Sequence, residues 1–227
     1  MKILAIGEVL WDSFNNSKFI GGAPLNFGLH SKILGNEVFI VSAVGKDLFG
    51  DELIAELVGR GLSTRFIHRS STKPTGLVEI TLKDANQPQY LLKTPAAYDD
   101  LAVGIDLKAI TSVDPEWVYF GTMCQMSDET LKLTQSIASN TSAKRFYDVN
   151  LRPTRYSAEL IEELFRLATV VKLNAEEVSA VLTLFGISIK LAVPIAILDH
   201  AIKNLFTLAL GVPATMSQGL SLYELVR

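Results

Sequence analysis

Apolar and polar positions along the 227-residue chain fall into short segments of two kinds. Five are compact apolar runs: Lys2–Ile6, Glu37–Val44, Trp117–Phe120, Arg145–Val149 and Thr169–Leu173. Such continuous runs predict strands buried on both faces. Five others repeat at helical spacing. Ala23–Leu34 carries Ala23, Phe27 and Leu34 on one side and closes at Gly35-Asn36. Phe49–Arg60 carries Phe49, Leu53, Ile54, Leu57 and Val58 and stops at Gly61; Asp128–Ile137, Ala158–Leu167 and Ala175–Phe185 complete the set. One stretch departs from this alternation. Gly76–Lys83 has period two, and Gln89–Lys93 can pair with it across Asp84-Ala85-Asn86 as a hairpin. The pattern predicts an α/β fold with a mostly parallel central sheet covered by helices on both faces, and a small β lid near 76–93.

Composition narrows the function classes. The net charge of −3 gives no basic surface for nucleic acid. One cysteine, Cys124, excludes an intrachain disulfide framework and reads as an ordinary semi-buried residue; His30, His68 and His200 have no metal-ligand spacing. The apolar N-terminal run ends at Gly7-Glu8 and reads as a strand rather than a signal peptide. Asn204–Tyr223 has no charge but contains Pro213 and Gln218, so no membrane span is expected and a cytoplasmic location is. Charge is unevenly spread, however. Residues 1–185 hold 40 of the 45 charged positions, whereas 186–227 hold five. The mean hydropathy of +0.28 owes much to that tail.

In an open parallel sheet, ligands sit beyond the carboxyl ends of the strands. Four such places stand out. Gly7–Asp12 (GEVLWD) follows the first strand, and Gly21-Gly22 with Pro24 and Asn26 opens the first helix. Asp148, Asn150 and Arg152 alternate as the chain leaves a strand, and Asn174 with Glu177 starts a helix. Each has a structural reading: a turn for the glycines, a solvated acid for Asp12, a salt-bridged turn for Asp148/Asn150/Arg152, and a capping box for Asn174/Glu177. Their common placement at one sheet edge favours a site. A P-loop is excluded by Ile40 and Asp47, and a dinucleotide fingerprint by the missing glycines after Gly7.

These residues carry a resemblance. GEVLWD at 7–12, GGAPLNFGLHSKILG at 21–35, VSAVGKDLFGDEL at 41–53, YFGTM at 119–123, YDVNLRP at 147–153 and VKLNAEEV at 171–178 resemble the ribokinase-like (phosphofructokinase-B type) carbohydrate kinases, most closely bacterial fructokinases. The resemblance covers residues 1–185 and implies a three-layer ribokinase-like fold. It also implies ATP-dependent phosphorylation of a sugar, with fructose the best match, and use of ATP and Mg²⁺. By position it implies that Asp12 bonds sugar hydroxyls, that Gly21 and Gly22 give backbone access with Asn26 as a further hydroxyl partner, and that Gly121 lies beside the sugar. Arg152 would sit near the substrate or the transferred phosphate. Asn174 and Glu177 would organise Mg²⁺ and the ATP phosphates through water, with no direct protein ligand to the metal. The hairpin would close on the sugar, and lids of this kind can form a homodimer interface.

The same resemblance predicts a late Gly-Ala-Gly-Asp loop, whose amides hold an anion and whose Asp is the general base. The sequence has none; the tail's only Asp is Asp199, without neighbouring glycines. The catalytic base is therefore expected to be absent. Residues 186–227 are expected to be an atypical apolar tail in place of the ATP-binding part, left by truncation or a frameshift, in a poorly active or inactive kinase. The alternative is a non-catalytic sugar-binding or regulatory protein.

Overall fold

The computed structural model describes residues 1–186 apart from 16, 84–86 and 153; the expected tail, 186–227, lies outside them beyond its first residue. Six strands form the main sheet: β1 (Lys2–Ile6), β4 (Glu37–Gly45), β5 (Ser63–Ser70), β8 (Trp117–Gly121), β9 (Lys144–Asp148) and β10 (Val170–Lys172). Their order is β10-β9-β8-β1-β4-β5, and every pair is parallel. β1 lies between β4 and β8, and Leu4, Ala5 and Ile6 are fully buried. An apolar strand bonded on both sides must have both faces covered, which accounts for its unbroken apolar run.

Two hydrophobic layers supply that cover. On one face α1 (Ala23–Ile33) and α2 (Leu48–Gly59) pack Leu25, Leu53 and Leu57 onto Ile3, Ala5, Val38 and Ile40. On the other, α3 (Leu107–Thr111), α4 (Asp128–Asn140), α5 (Ala158–Leu167) and α6 (Ala175–Leu184) pack Ile110, Ile137, Leu164 and Val181 against Leu4, Ile6, Val118 and Phe120. Within α5, Leu160, Ile161, Leu164 and Phe165 all face inward, and each such burial is worth about 1.5–3 kcal/mol. The result is a three-layer α/β fold, as the sequence pattern predicts. Among the described residues no helix is long and apolar enough to cross a membrane.

The smaller sheet is larger than the sequence pattern suggests. The hairpin of β6 (Gly76–Lys83) and β7 (Gln87–Leu92) is present, but two further strands join it: β2 (Leu10–Phe14) and β3 (Ser17–Gly21), in the order β3-β2-β6-β7. GEVLWD is thus only partly a loop, and Asp12 stands on β2. β2 pairs in parallel with β6, Asp12 opposite Val78, a contact 66 residues apart that no local pattern announces.

Helix faces differ in detail. Leu34 does not belong to the buried side of α1; it is 80% exposed at the helix end. The buried side uses Pro24, Leu25, Gly28 and Ser31, because a Cβ at Gly28 would come within 2.7 Å of Ile40 Cδ1. Phe49 and Val58 of α2 are likewise exposed, while Gly50, Leu53 and Leu57 face the sheet. Close helix–sheet approach favours glycine here over a wider apolar stripe.

The VGKD motif is structural. Asp47 caps α2 by accepting from Gly50 N (2.8 Å), and it also accepts from Thr75 N (2.8 Å) and Thr75 Oγ1 (2.6 Å) at the foot of β6. Burial opposes its charge, but the Thr75 and Gly50 bonds, with help from Arg69, hold the carboxyl below its ordinary value. A depressed carboxyl contributes stability that is complete above the unfolded value of 3.8 and is lost as pH falls through the folded one. Asp47→Ala is therefore expected to cost about 1–2 kcal/mol in denaturant unfolding at neutral pH. The gap to the native chain should close as the pH drops below 3.8.

Candidate functional site

The parallel strands end along one edge, and four of the segments singled out in the sequence meet there. β1 ends at Ile6 and passes directly into Gly7-Glu8. Gly22 is the N-cap of α1, β8 ends at Gly121, and β9 ends at Asp148, leading to Arg152. Asn174 caps α6 just past β10, which lies three strands from β1, about 14 Å along the edge at ~4.8 Å per strand.

Asp12 lies within the electrostatic reach of Arg152. Asp12 is half-buried, and burial raises its carboxyl above the ordinary value while the Arg152 guanidinium pulls it back. Arg152 is exposed, and its one hydrogen bond among the described residues goes from Nη1 to Leu151 O (3.1 Å), which leaves most of its donors free. Gly21 makes room for the acid: a Cβ there would stand 2.1 Å from Asp12 Oδ2. Trp11, on the opposite face of β2, donates from Nε1 to Phe49 O (2.9 Å) and ties this strand to α2. Side-chain alternation thus turns Asp12 away from the anchored face.

Gly22 has φ 108°, and a Cβ would lie 2.3 Å from Glu8 O, so only glycine fits. Asn26 is exposed in the first turns of α1, and its backbone oxygen meets His30 Nδ1 at 2.7 Å. Gly121 is buried beside Asp148, with the Asp148 carbonyl 3.4 Å from where a Cβ would be.

The remaining polar residues are more fully engaged. Asp148 accepts from Tyr119 Oη (2.9 Å) and from Lys172 Nζ (2.9 Å), so its carboxylate serves an ion pair between strand ends rather than one with Arg152. Asn150 takes a left-handed φ of 37°, which asparagine tolerates, and so turns the chain toward Arg152. Asn174 and Glu177 form the capping box: Asn174 Oδ1 accepts from Glu177 N (2.8 Å), and Glu177 Oε2 accepts from Asn174 N (2.8 Å). Glu177 is 6% exposed. Among the described residues no group of three or more His, Cys, Asp or Glu side chains is placed to hold a metal ion.

One participant escapes the sequence reading. Glu8 is buried at the end of β1; its Oε1 accepts from Ala23 N (3.1 Å) and its Oε2 from the Cys124 thiol (3.6 Å). Cys124 is therefore fully buried rather than semi-buried, at 2% exposure, because it packs beneath β1 in the turn that follows β8. The only signal for Glu8 in the sequence is an acid placed directly after an apolar strand.

Burial pushes the Glu8 carboxyl up, against the lowering pull of its hydrogen bonds and Arg152. A raised carboxyl contributes stability that is complete below its unfolded value of 4.5 and is lost as pH rises through the folded one. Glu8→Gln keeps an acceptor but has no charge to desolvate. In thermal unfolding from about pH 4 to about pH 8, the native chain should lose ground to Glu8→Gln as pH rises.

Comparison with known proteins agrees with the fold. A model of the pfkB family of carbohydrate kinases matches residues 5–207, running past Phe185, where the recognised motifs end. A sugar kinase of Pyrococcus horikoshii is 29% identical over 195 residues, covering 78% of this chain and 62% of the relative. The crystal structure of an uncharacterized sugar kinase from that organism in complex with ATP superposes with a TM-score of 0.70 at 28% identity, covering 83% of this chain and 68% of the other. A Xylella fastidiosa fructokinase with bound ATP superposes with a TM-score of 0.70 at 24% identity, over 82% of this chain and 62% of that one. The chain thus spans about three-fifths of the length of the Pyrococcus sugar kinase. The match over residues 5–207, together with the ribokinase-like architecture, establishes that this chain belongs to the pfkB family of carbohydrate kinases.

Proposed function

We propose that the chain binds a sugar, with fructose the first candidate, between β2 and the C-terminal edge of the main sheet, as part of an ATP-dependent sugar kinase. The observation that carries this reading is the half-buried Asp12 carboxyl, held at an edge that Gly21 leaves clear for it and within the field of the exposed Arg152. A carboxylate accepts from sugar hydroxyls, and a guanidinium with free donors suits an oxyanion or a transferred phosphate. Gly22, Asn26 and Gly121 border the same space and are its proposed sugar contacts. The smaller sheet, which carries Asp12, is the proposed lid that excludes water from it.

ATP use is supported by the family and by the ATP-bound relatives. Asn174 and Glu177 are the proposed organisers of Mg²⁺ and the phosphates. The capping box already occupies Asn174 Oδ1 and one oxygen of Glu177, which suits a role through metal-bound water, because Mg²⁺ retains several waters. Mg²⁺ bound there would neutralise developing phosphate charge. Phe19, Tyr90 and Leu91 are exposed on the two edge strands of the smaller sheet and support a homodimer through it. A cytoplasmic location is proposed on the same grounds as before.

With no Gly-Ala-Gly-Asp loop in the sequence, the positioned base has no counterpart, and its loss typically costs ~10²–10⁴-fold. The 227 residues are therefore expected to bind sugar but to transfer phosphate poorly. Titration calorimetry should find fructose binding that Asp12→Ala weakens about 10- to 100-fold, the loss of hydrogen bonds worth about 1.5–3 kcal/mol. Affinity that survives Asp12→Ala would overturn the site. ATP-dependent fructose phosphate formation at a rate typical of kinases, roughly 1–100 per second, would overturn the expected inactivity. Sugar binding with no transfer at all would favour the non-catalytic reading.

A further inference from the structure

We propose that Glu8 is the positioning residue of the sugar site, fixing the Gly21-Gly22 loop by capping α1 from outside the helix; this rests on the proposed sugar function. The first amides of a helix need acceptors, and an N-cap side chain ordinarily supplies one. α1 cannot supply its own. Its N-cap is Gly22, where a Cβ would collide with Glu8 O at 2.3 Å, and its first turn holds no acid. Glu8, reaching from the end of β1, fills that gap through the bond from Ala23 N.

The same carboxyl is held from a second side. Its other oxygen accepts from Cys124, three residues beyond Gly121, and the Arg152 charge acts on both Glu8 and Asp12. Three segments that border the proposed sugar space therefore meet at one buried group: the end of β1, the glycine loop and the turn after β8. Gly21 pairs with Leu10 on β2 and clears the space for Asp12 Oδ2. A shift in where α1 begins would move Gly21 against Asp12, and a misplacement of about 1 Å at such a site can cost on the order of 10²-fold.

The test uses the full chain, with two readouts: hydrogen exchange at the Ala23 amide, and fructose affinity by calorimetry. Glu8→Ala should speed Ala23 exchange and weaken fructose binding, each by roughly 10-fold or more. Glu8→Gln retains an oxygen for Ala23 N and should stay within roughly threefold of the native chain on both. If Glu8→Ala does not fold, Glu8→Asp carries the same test, since it is one methylene too short to reach Ala23. Unchanged Ala23 exchange in the Ala variant overturns the proposal, as does faster exchange with unchanged affinity. A Gln variant as impaired as the Ala variant overturns it too. A native chain that binds no sugar overturns the sugar function and this role together. Binding that depends on Asp12 but is indifferent to Glu8→Ala overturns this role alone.

Discussion

β1 sets the frame to which the rest of the structure refers. Its five residues pair in parallel with β4 on one side, four of them pair with β8 on the other, and an apolar layer covers each face. With Leu4, Ala5 and Ile6 completely enclosed, the strand cannot slip by one residue without exchanging its two faces. The position of its carboxyl end is thereby fixed, and with it Gly7, Glu8 and the start of β2. The neighbouring strands run the same way, so their ends add Gly121 and the Asp148–Arg152 loop to the same edge.

Charge at this edge is arranged economically. Asp148 is paired with Lys172 and accepts a hydrogen bond from Tyr119, and Glu177 bonds back to the backbone of Asn174. Arg152 remains without a carboxylate partner of its own among the described residues, and it acts on two half- or fully buried acids, Asp12 and Glu8. Paired groups of this kind hold loops in place. A half-buried acid and an exposed guanidinium with free donors are available to a ligand, since a buried unpaired charge is costly unless something satisfies it. The structural roles and the proposed binding roles therefore fall on different residues of the same motifs: Asp148 on one side, Arg152 four residues later on the other.

Much of this was legible before any coordinates. The apolar runs at 2–6 and 37–44 and the helical spacing of 158–167 are local signals, and the elements formed where they predict. The capping box at Asn174 was also legible, because its geometry depends on only four consecutive residues. The β2 and β3 strands were not. LWDSF and SKFIG are short and mixed, and what makes β2 a central strand of its sheet is pairing with β6 far along the chain. Leu34 and Phe49 misled for a related reason: an apolar residue at helical spacing declares a face only if that face meets the sheet.

The amino-acid sequence by itself determined the α/β alternation, the family motifs and the absence of a Gly-Ala-Gly-Asp loop, because each is a matter of residue identity over a few positions. The tertiary structure alone decided that Asp12 rides on the smaller sheet, that Asp148 pairs with Lys172 rather than Arg152, and that Glu8 caps a helix 15 residues away. These depend on which strands become neighbours. Non-local pairing is selected by the burial of the whole sheet, and no window of the sequence contains it.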